Sequence, residues 1–131
     1  MTPYSKEDYI KYRINRSEEI LVEIEFLIAN KFWNTAVNRL YYAAYHAVSA
    51  LLYSHGIETS SHAGCRLKFG QEFVHKGKID KEFGKLFSSL YEKRQKGDYN
   101  DFYDFTEKDV KQLFEPTKQL IHVIIAMINR G

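Results

Sequence analysis

The sequence predicts an all-α fold: one up-and-down bundle of about five helices, a single domain over residues 1–131. Three observations carry this. Apolar residues recur at spacings of three and four along five separate stretches, the period of a helix face. The chain holds only 2 Pro and 7 Gly and is 44% hydrophobic, which fits a compact helical domain. The connections between the stretches are short, with no repeat or linker, so neighbouring helices must pack side by side.

The first helix starts at Ser5-Lys6-Glu7-Asp8, a capping box in which the serine accepts from first-turn amides. Its seam is Ile10, Ile14, Ser17, Leu21, Ile24 and Ile28, and it should end near Asn30, a residue that tolerates the left-handed conformation. A second helix, about residues 32–55, carries apolar residues around most of its circumference and should be central. Its alanines let neighbours approach closely, and Gly56 stops it. A third segment, roughly 62–76, is weakened by Gly64 and Gly70, each costing about 1 kcal/mol relative to Ala. Asp80 caps a fourth helix that should end at Gly97. Residues 98–105 mix turn formers with aromatics and read as a loop pinned by its rings, with Asp98, Asp101 and Asp104 as turn caps. Thr106-Glu107-Lys108-Asp109 opens the last helix, which Pro116 should kink.

Composition narrows the function classes. The lone Cys65 excludes an intrachain disulfide and a cysteine-pair zinc site, and points to a reducing cytoplasm. No apolar run reaches the ~18 residues of a membrane span, and the opening residues lack a signal-peptide core, so no membrane role is expected. Phosphate-loop, dinucleotide and hydrolase-elbow motifs are absent, and no cofactor is expected. Glu72-Phe73-Val74-His75 has the spacing of a di-iron element, but no second copy exists, so no metal site is expected. The net charge of +2 is uneven: residues 66–96 hold nine basic and four acidic side chains, a local +5 that would attract a polyanion such as RNA.

The chemistry-bearing stretch is Ala36-Val37-Asn38-Arg39-Leu40-Tyr41-Tyr42-Ala43-Ala44-Tyr45-His46-Ala47-Val48. Thr35, Arg39, Tyr42, His46, Ser49 and Tyr53 form a polar stripe on this otherwise apolar helix. Arg39 and His46, two turns apart, stand roughly 10 Å from each other, within reach of one phosphodiester. A histidine moves a proton near neutral pH, and a guanidinium braces charge on a transferring phosphoryl group, so the pair suits metal-free RNA cleavage. An arginine ion-paired with Asp98 or Glu92 and a hydrogen-bonded histidine would give the same spacing without catalysis. For Arg94, Asp98 and Tyr99 the structural reading leads: an ion pair from Arg94 or Arg39 to Asp98 docks the aromatic loop over the second helix.

These residues resemble the HEPN-domain family, in its small stand-alone prokaryotic branch. Ala36, Arg39, Tyr41, Tyr42, Ala43, Tyr45, His46 and Ala47 match, followed by His62, Phe73 and Arg94-x-x-x-Asp98-Tyr99, a likeness running from about residue 5 to 128. The resemblance implies a bundle that forms a homodimer, two Arg/His sites sharing one cleft. It implies a metal-independent RNase with Arg39 and His46 as R-x6-H, often a toxin neutralised by a minimal nucleotidyltransferase. Asn38, Tyr42, Tyr45, Ser49, Arg94, Asp98 and Tyr99 are the expected cleft residues. Two positions depart: Leu40 stands where active members usually carry a polar residue, and Val48 where some carry a modified tyrosine. The alternative is a non-catalytic module that binds a nucleotide or a nucleotidyltransferase partner through the tyrosine-rich cleft.

Overall fold

In the computed structural model, which describes residues 5–100 and 102–131, the chain is an all-α bundle. It comprises α1 (Lys6–Ala29), α2 (Trp33–Ser54), α3 (His62–Phe69), α4 (Lys81–Tyr99) and α5 (Glu107–Arg130), with a π-helical turn, Gly70–Val74, continuing α3. Caps set the starts: Ser5, Ser61, Asp80 and Thr106 each accept from a first-turn amide, and Thr106 with Asp109 closes a full capping box.

Helix α2 is the axis. It packs on α1, α3, α4 and α5, and Val37, Leu40, Ala43, Ala44, Ala47, Val48 and Leu51 are fully buried. The predicted stripe from Thr35 to Tyr53 is left partly or wholly uncovered by these neighbours, so the unburied strip of the central helix is its chemical one. The approach of α1 is close enough for the Ser17 hydroxyl to donate to the Ala43 carbonyl at 2.7 Å, with Ser17 itself fully buried. Only small side chains at the contact permit that distance.

Helix α1 ends at Ala29 with Asn30 as its C-cap, as expected, but several local details differ from the sequence expectation. The left-handed residue after α1 is Lys31 (φ 62°), while Asn30 instead donates from its side chain to the Phe26 carbonyl. The buried seam of α1 is Ser17, Ile20, Leu21 and Ile24; Ile10, Ile14 and Ile28 are half-covered toward its ends. Gly70 does not merely weaken a helix: the backbone widens there into the π turn, which seats Phe73 in the core. Helix α4 runs through Gly97 to Tyr99, because residue 97 lies against the Phe105 ring and the last turn is held by tertiary packing rather than propensity. Helix α5 is continuous through Pro116.

The aromatic loop is pinned by two rings, not all. Phe105 is buried with Tyr103 packed edge-on against it at 4.8 Å, whereas Tyr99 and Phe102 are 78% and 98% exposed. Its acids tie the loop to α2 rather than capping turns. Asn34 donates to Asp104 at 3.0 Å and accepts from the Phe105 amide at 2.7 Å, and Asn38 donates to Asp98 at 3.2 Å. Asp101 lies outside the described residues.

Enlarging the α1–α2 contact should be costly. Ala43→Leu overpacks a filled interface and is expected to lose about 1–3 kcal/mol of stability in urea unfolding, whereas Lys11→Ala, at an exposed site on α1, should change it by less than about 0.5 kcal/mol; equal effects would show that the interface is loosely packed.

Candidate functional site

Helix α2 presents His46 half-buried toward α1, and α1 answers with Arg13. The Arg13 Nη1 donates to His46 Nδ1 at 3.0 Å, while its Nε and Nη2 donate to the Tyr9 hydroxyl at 3.0 and 2.8 Å. A guanidinium can only donate. Nδ1 is therefore the acceptor, and the proton of the neutral imidazole sits on Nε2. Burial, followed by the charges of Arg13, Arg16 and Arg39, pushes the His46 pKa down to about 4. His46 is neutral at pH 7 in a strongly positive setting. Arg16 and Arg39 have carboxylate partners, Glu19 at 3.1 Å and Glu23 at 3.2 Å; among the described residues Arg13 has none.

Arg39 shares this site through the field it exerts on His46, not through the partners anticipated for it. Its ion pair is to Glu23 of α1, not to Asp98 or Glu92, and its guanidinium also lies 5.9 Å from the Tyr42 ring. Its neighbour Leu40 is fully buried in the core.

A second cluster lies further round α2. Arg94 is 8% exposed, donates to the Tyr42 hydroxyl at 2.9 Å, reaches Asp98 at 3.7 Å and lies over the rings of Tyr41, Tyr42 and Tyr91. Its Nε is buried without a partner. Asp98 thus bridges Arg94 and Asn38, the docking that the sequence suggested, although through Arg94 rather than Arg39. His62 joins the two clusters. Its Nδ1 and the Tyr41 hydroxyl are 2.8 Å apart, and its ring packs 4.5 Å from that of Tyr45, which in turn lies under Arg13 at 5.7 Å. Burial and then Arg94 lower the His62 pKa, and burial raises that of Tyr41.

The expected residues are therefore only partly gathered. Tyr45 and His46 meet at Arg13; Asn38, Tyr42, Arg94 and Asp98 form the second cluster; Ser49 faces the Cys65 sulfur at 3.9 Å. Burial pushes the Cys65 thiol up to about 11, so it stays protonated. Tyr99 belongs to neither cluster. It projects from the end of α4 beside Gln95 and Lys96, since the helix continues past Gly97 and turns that side chain outward. Within the basic stretch 66–96, Arg66, Lys76 and Lys85 pair with Glu92, Glu72 and Glu82, and Arg94 is buried with Asp98 beside it. Glu72, of the E-x-x-H element, is the partner of Lys76 at 2.6 Å. Among the described residues no group of three or more His, Cys, Asp or Glu side chains is placed to hold a metal ion, and no helix is long and apolar enough to cross a membrane.

Arg13, Tyr9 and Glu23 are the site residues that sequence reading passed over. One signal was available for Arg13. Arg13, Ser17, Ile20 and Ile24 follow each other at spacings of four, three and four, so a lone arginine continues the register of the buried seam of α1.

The HEPN domain matches residues 10–127 of the chain. A UPF0332 protein of Thermotoga maritima is 37% identical over 123 residues, 94% of this chain and 93% of that one. Putative toxin MJ0605 of Methanocaldococcus jannaschii is 37% identical over 90 residues, 69% of this chain and 67% of its own. Putative toxin MJ0142 of the same organism is 29% identical over 100 residues, 76% and 68% of the two chains. With the bundle, the Arg39/His46 helix and a match over nearly the full length, this chain belongs to the HEPN family.

Proposed function

We propose that this protein is a toxin-like HEPN ribonuclease that cleaves RNA without a metal ion, and that a minimal nucleotidyltransferase neutralises it. The observation that carries the reading is a neutral histidine in the field of Arg13, Arg16 and Arg39, with Arg13 lacking a carboxylate among the described residues. Two relatives with toxin in their names support the biological class.

A phosphodiester entering beside His46 draws the Arg13 guanidinium onto its oxygens, with Arg39 leaving Glu23 to join it. Two consequences follow. Nδ1 of His46 is freed as an acceptor, and neutralising the arginines removes charges that depress its pKa. His46 then takes the proton of the ribose 2′-hydroxyl as the O2′–P bond forms. The P–O5′ bond breaks, and O5′ leaves with a proton from solvent. The arginines balance the charge that builds on the non-bridging oxygens. Fully buried, Leu40 contributes to the core. Its presence at the usually polar position, and the Arg39–Glu23 pair, favour the second reading, a module that binds a nucleotide or its partner and does not cleave.

The dimer belongs to this proposal. The outer face of α1 leaves Val22 and Phe26 68% and 64% exposed, lining a groove of about 480 Å³ with Leu27, Thr35 and Arg39. A second copy seated there would bring two Arg39 side chains to one cleft.

Purified protein should cleave single-stranded RNA in the presence of EDTA, and His46→Ala should slow this by about 10²-fold or more, the usual worth of a general base. Identical cleavage by both proteins would remove His46 from the mechanism. By NMR the free His46 should titrate near pH 4; Arg13→Ala, which lifts a neighbouring positive charge, should raise that value, as should saturating inorganic pyrophosphate. No upward movement in either case would contradict the arginine-exchange step. Light scattering should find a dimer that Phe26→Glu dissociates with loss of cleavage; a wild-type monomer that still cleaves would refute the shared cleft.

A further inference from the structure

Arg13 also lines a pocket of about 260 Å³ between the N-terminal half of α1, the C-terminal half of α2 and the segment that leads to α3. It is just below the roughly 300–1,000 Å³ of pockets for drug-sized ligands, so it has room for one nucleoside but not for several. Its walls are aromatic: Tyr9 and Tyr53 stand 4.5 Å apart, and Tyr45 completes the lining. Aromatic faces of this kind stack any nucleobase. They do not choose among bases.

Beside the hydroxyls of Ser49 and Thr59, the lining holds the carboxylate of Glu58. It lines the pocket from the segment after α2, is exposed, and forms no ion pair among the described residues. A carboxylate only accepts. Among the four RNA bases guanine presents two adjacent donors, N1–H and the N2 amino group, on its Watson–Crick edge and can meet both carboxylate oxygens. Adenine and cytosine each set a ring-nitrogen acceptor beside their amino group, and uracil sets carbonyl oxygens beside its one imino donor.

We infer that the Tyr9–Tyr45–Tyr53 pocket is a base-recognition subsite that takes a guanine, with Glu58 accepting from its N1–H and N2 amino group. The placement follows from Arg13, which is both a wall of this pocket and the donor to His46 Nδ1. A guanosine held in the pocket sets its attached phosphate at Arg13 and so beside His46. The inference rests on the RNA reading above and deepens it, naming the nucleotide that flanks the cleaved bond.

The test is calorimetric, with 5′-GMP and 5′-AMP as probes. GMP should bind at least about tenfold more tightly than AMP, the lower bound for one bidentate base contact. Glu58→Gln, a change at an exposed loop position, should abolish that preference. Tyr53→Leu should weaken both nucleotides by about fivefold or more, with circular dichroism confirming the fold. Equal affinities, a preference that survives Glu58→Gln, or no binding of either nucleotide would each overturn the subsite. Mapping of RNA cleavage sites separates it from the parent reading. Cleavage with no bias toward guanosine overturns the subsite and leaves the ribonuclease standing; Glu58-dependent GMP binding without any RNA cleavage does the reverse.

Discussion

The close seating of α1 on α2 governs everything at the site. His46 projects from α2, but the side chain that fixes its tautomer, depresses its basicity and forms a wall of the adjoining pocket is Arg13, which comes from α1. That geometry depends on two helices lying near enough for a serine hydroxyl to reach the facing backbone, at Ser17 and Ala43, one turn along from Arg13. Under the proposed function, alanine-rich α2 is a requirement of the site as much as of packing. A larger side chain at the contact would push α1 outward and carry Arg13 with it.

Burying guanidinium groups is normally expensive, and the molecule handles its arginines in three ways. Arg16 and Arg39 keep partial exposure and take surface carboxylates. Arg94 is enclosed by three tyrosine rings and has Tyr42 and Asp98 for its donors, with Nε left over; ring faces offer a cation some of the attraction that water would. Arg13 has a phenol and an imidazole, neither of them charged. Of the three solutions, the last is the one that, among the described residues, leaves a positive charge without a carboxylate, and it does so beside a histidine. The two clusters are joined by rings packed at a tilt, Tyr45 on His62 and His62 with Tyr41, so the face of α2 between them is continuous and aromatic.

Local signals in the sequence reached as far as helices, caps and the central position of α2, because each depends on residues within a few positions of one another. Thr106 and Asp109 specify their capping box with no help from the rest of the fold. The π turn at Gly70 and the extension of α4 past Gly97 were not legible, since both answer to tertiary contacts: Phe73 entering the core, and Phe105 lying against residue 97. Within the site, the residues on α2 stood out because they share one helix. Their partners did not. Glu23 lies 16 residues from Arg39 and Arg13 lies 33 from His46, and no local pattern encodes which face of α1 meets which face of α2. Tyr99 was misplaced for a related reason: ending α4 at Gly97 would have put it in a loop free to turn inward.

On the proposed ribonuclease reading, the structure shows a resting arrangement in which Arg39 and Arg13 each sit on a partner they can leave. The Arg39–Glu23 pair has side chains 26% and 46% exposed, and pairs of that kind contribute only about 0–1 kcal/mol. Exchanging Glu23 for a phosphate, which offers a full charge and better donor geometry, therefore costs little. The Arg13–His46 bond is a cation donating to a neutral ring, again weaker than the same guanidinium donating to an anion. Both exchanges run in the same direction, toward an anionic ligand, and both change His46: one frees its acceptor nitrogen, the other removes charges that hold its pKa down. On the proposed ribonuclease reading, ligand charge is the trigger that converts a poor base into a competent one. An uncharged ligand of the same shape would leave Arg13 on Nδ1 and the histidine inert.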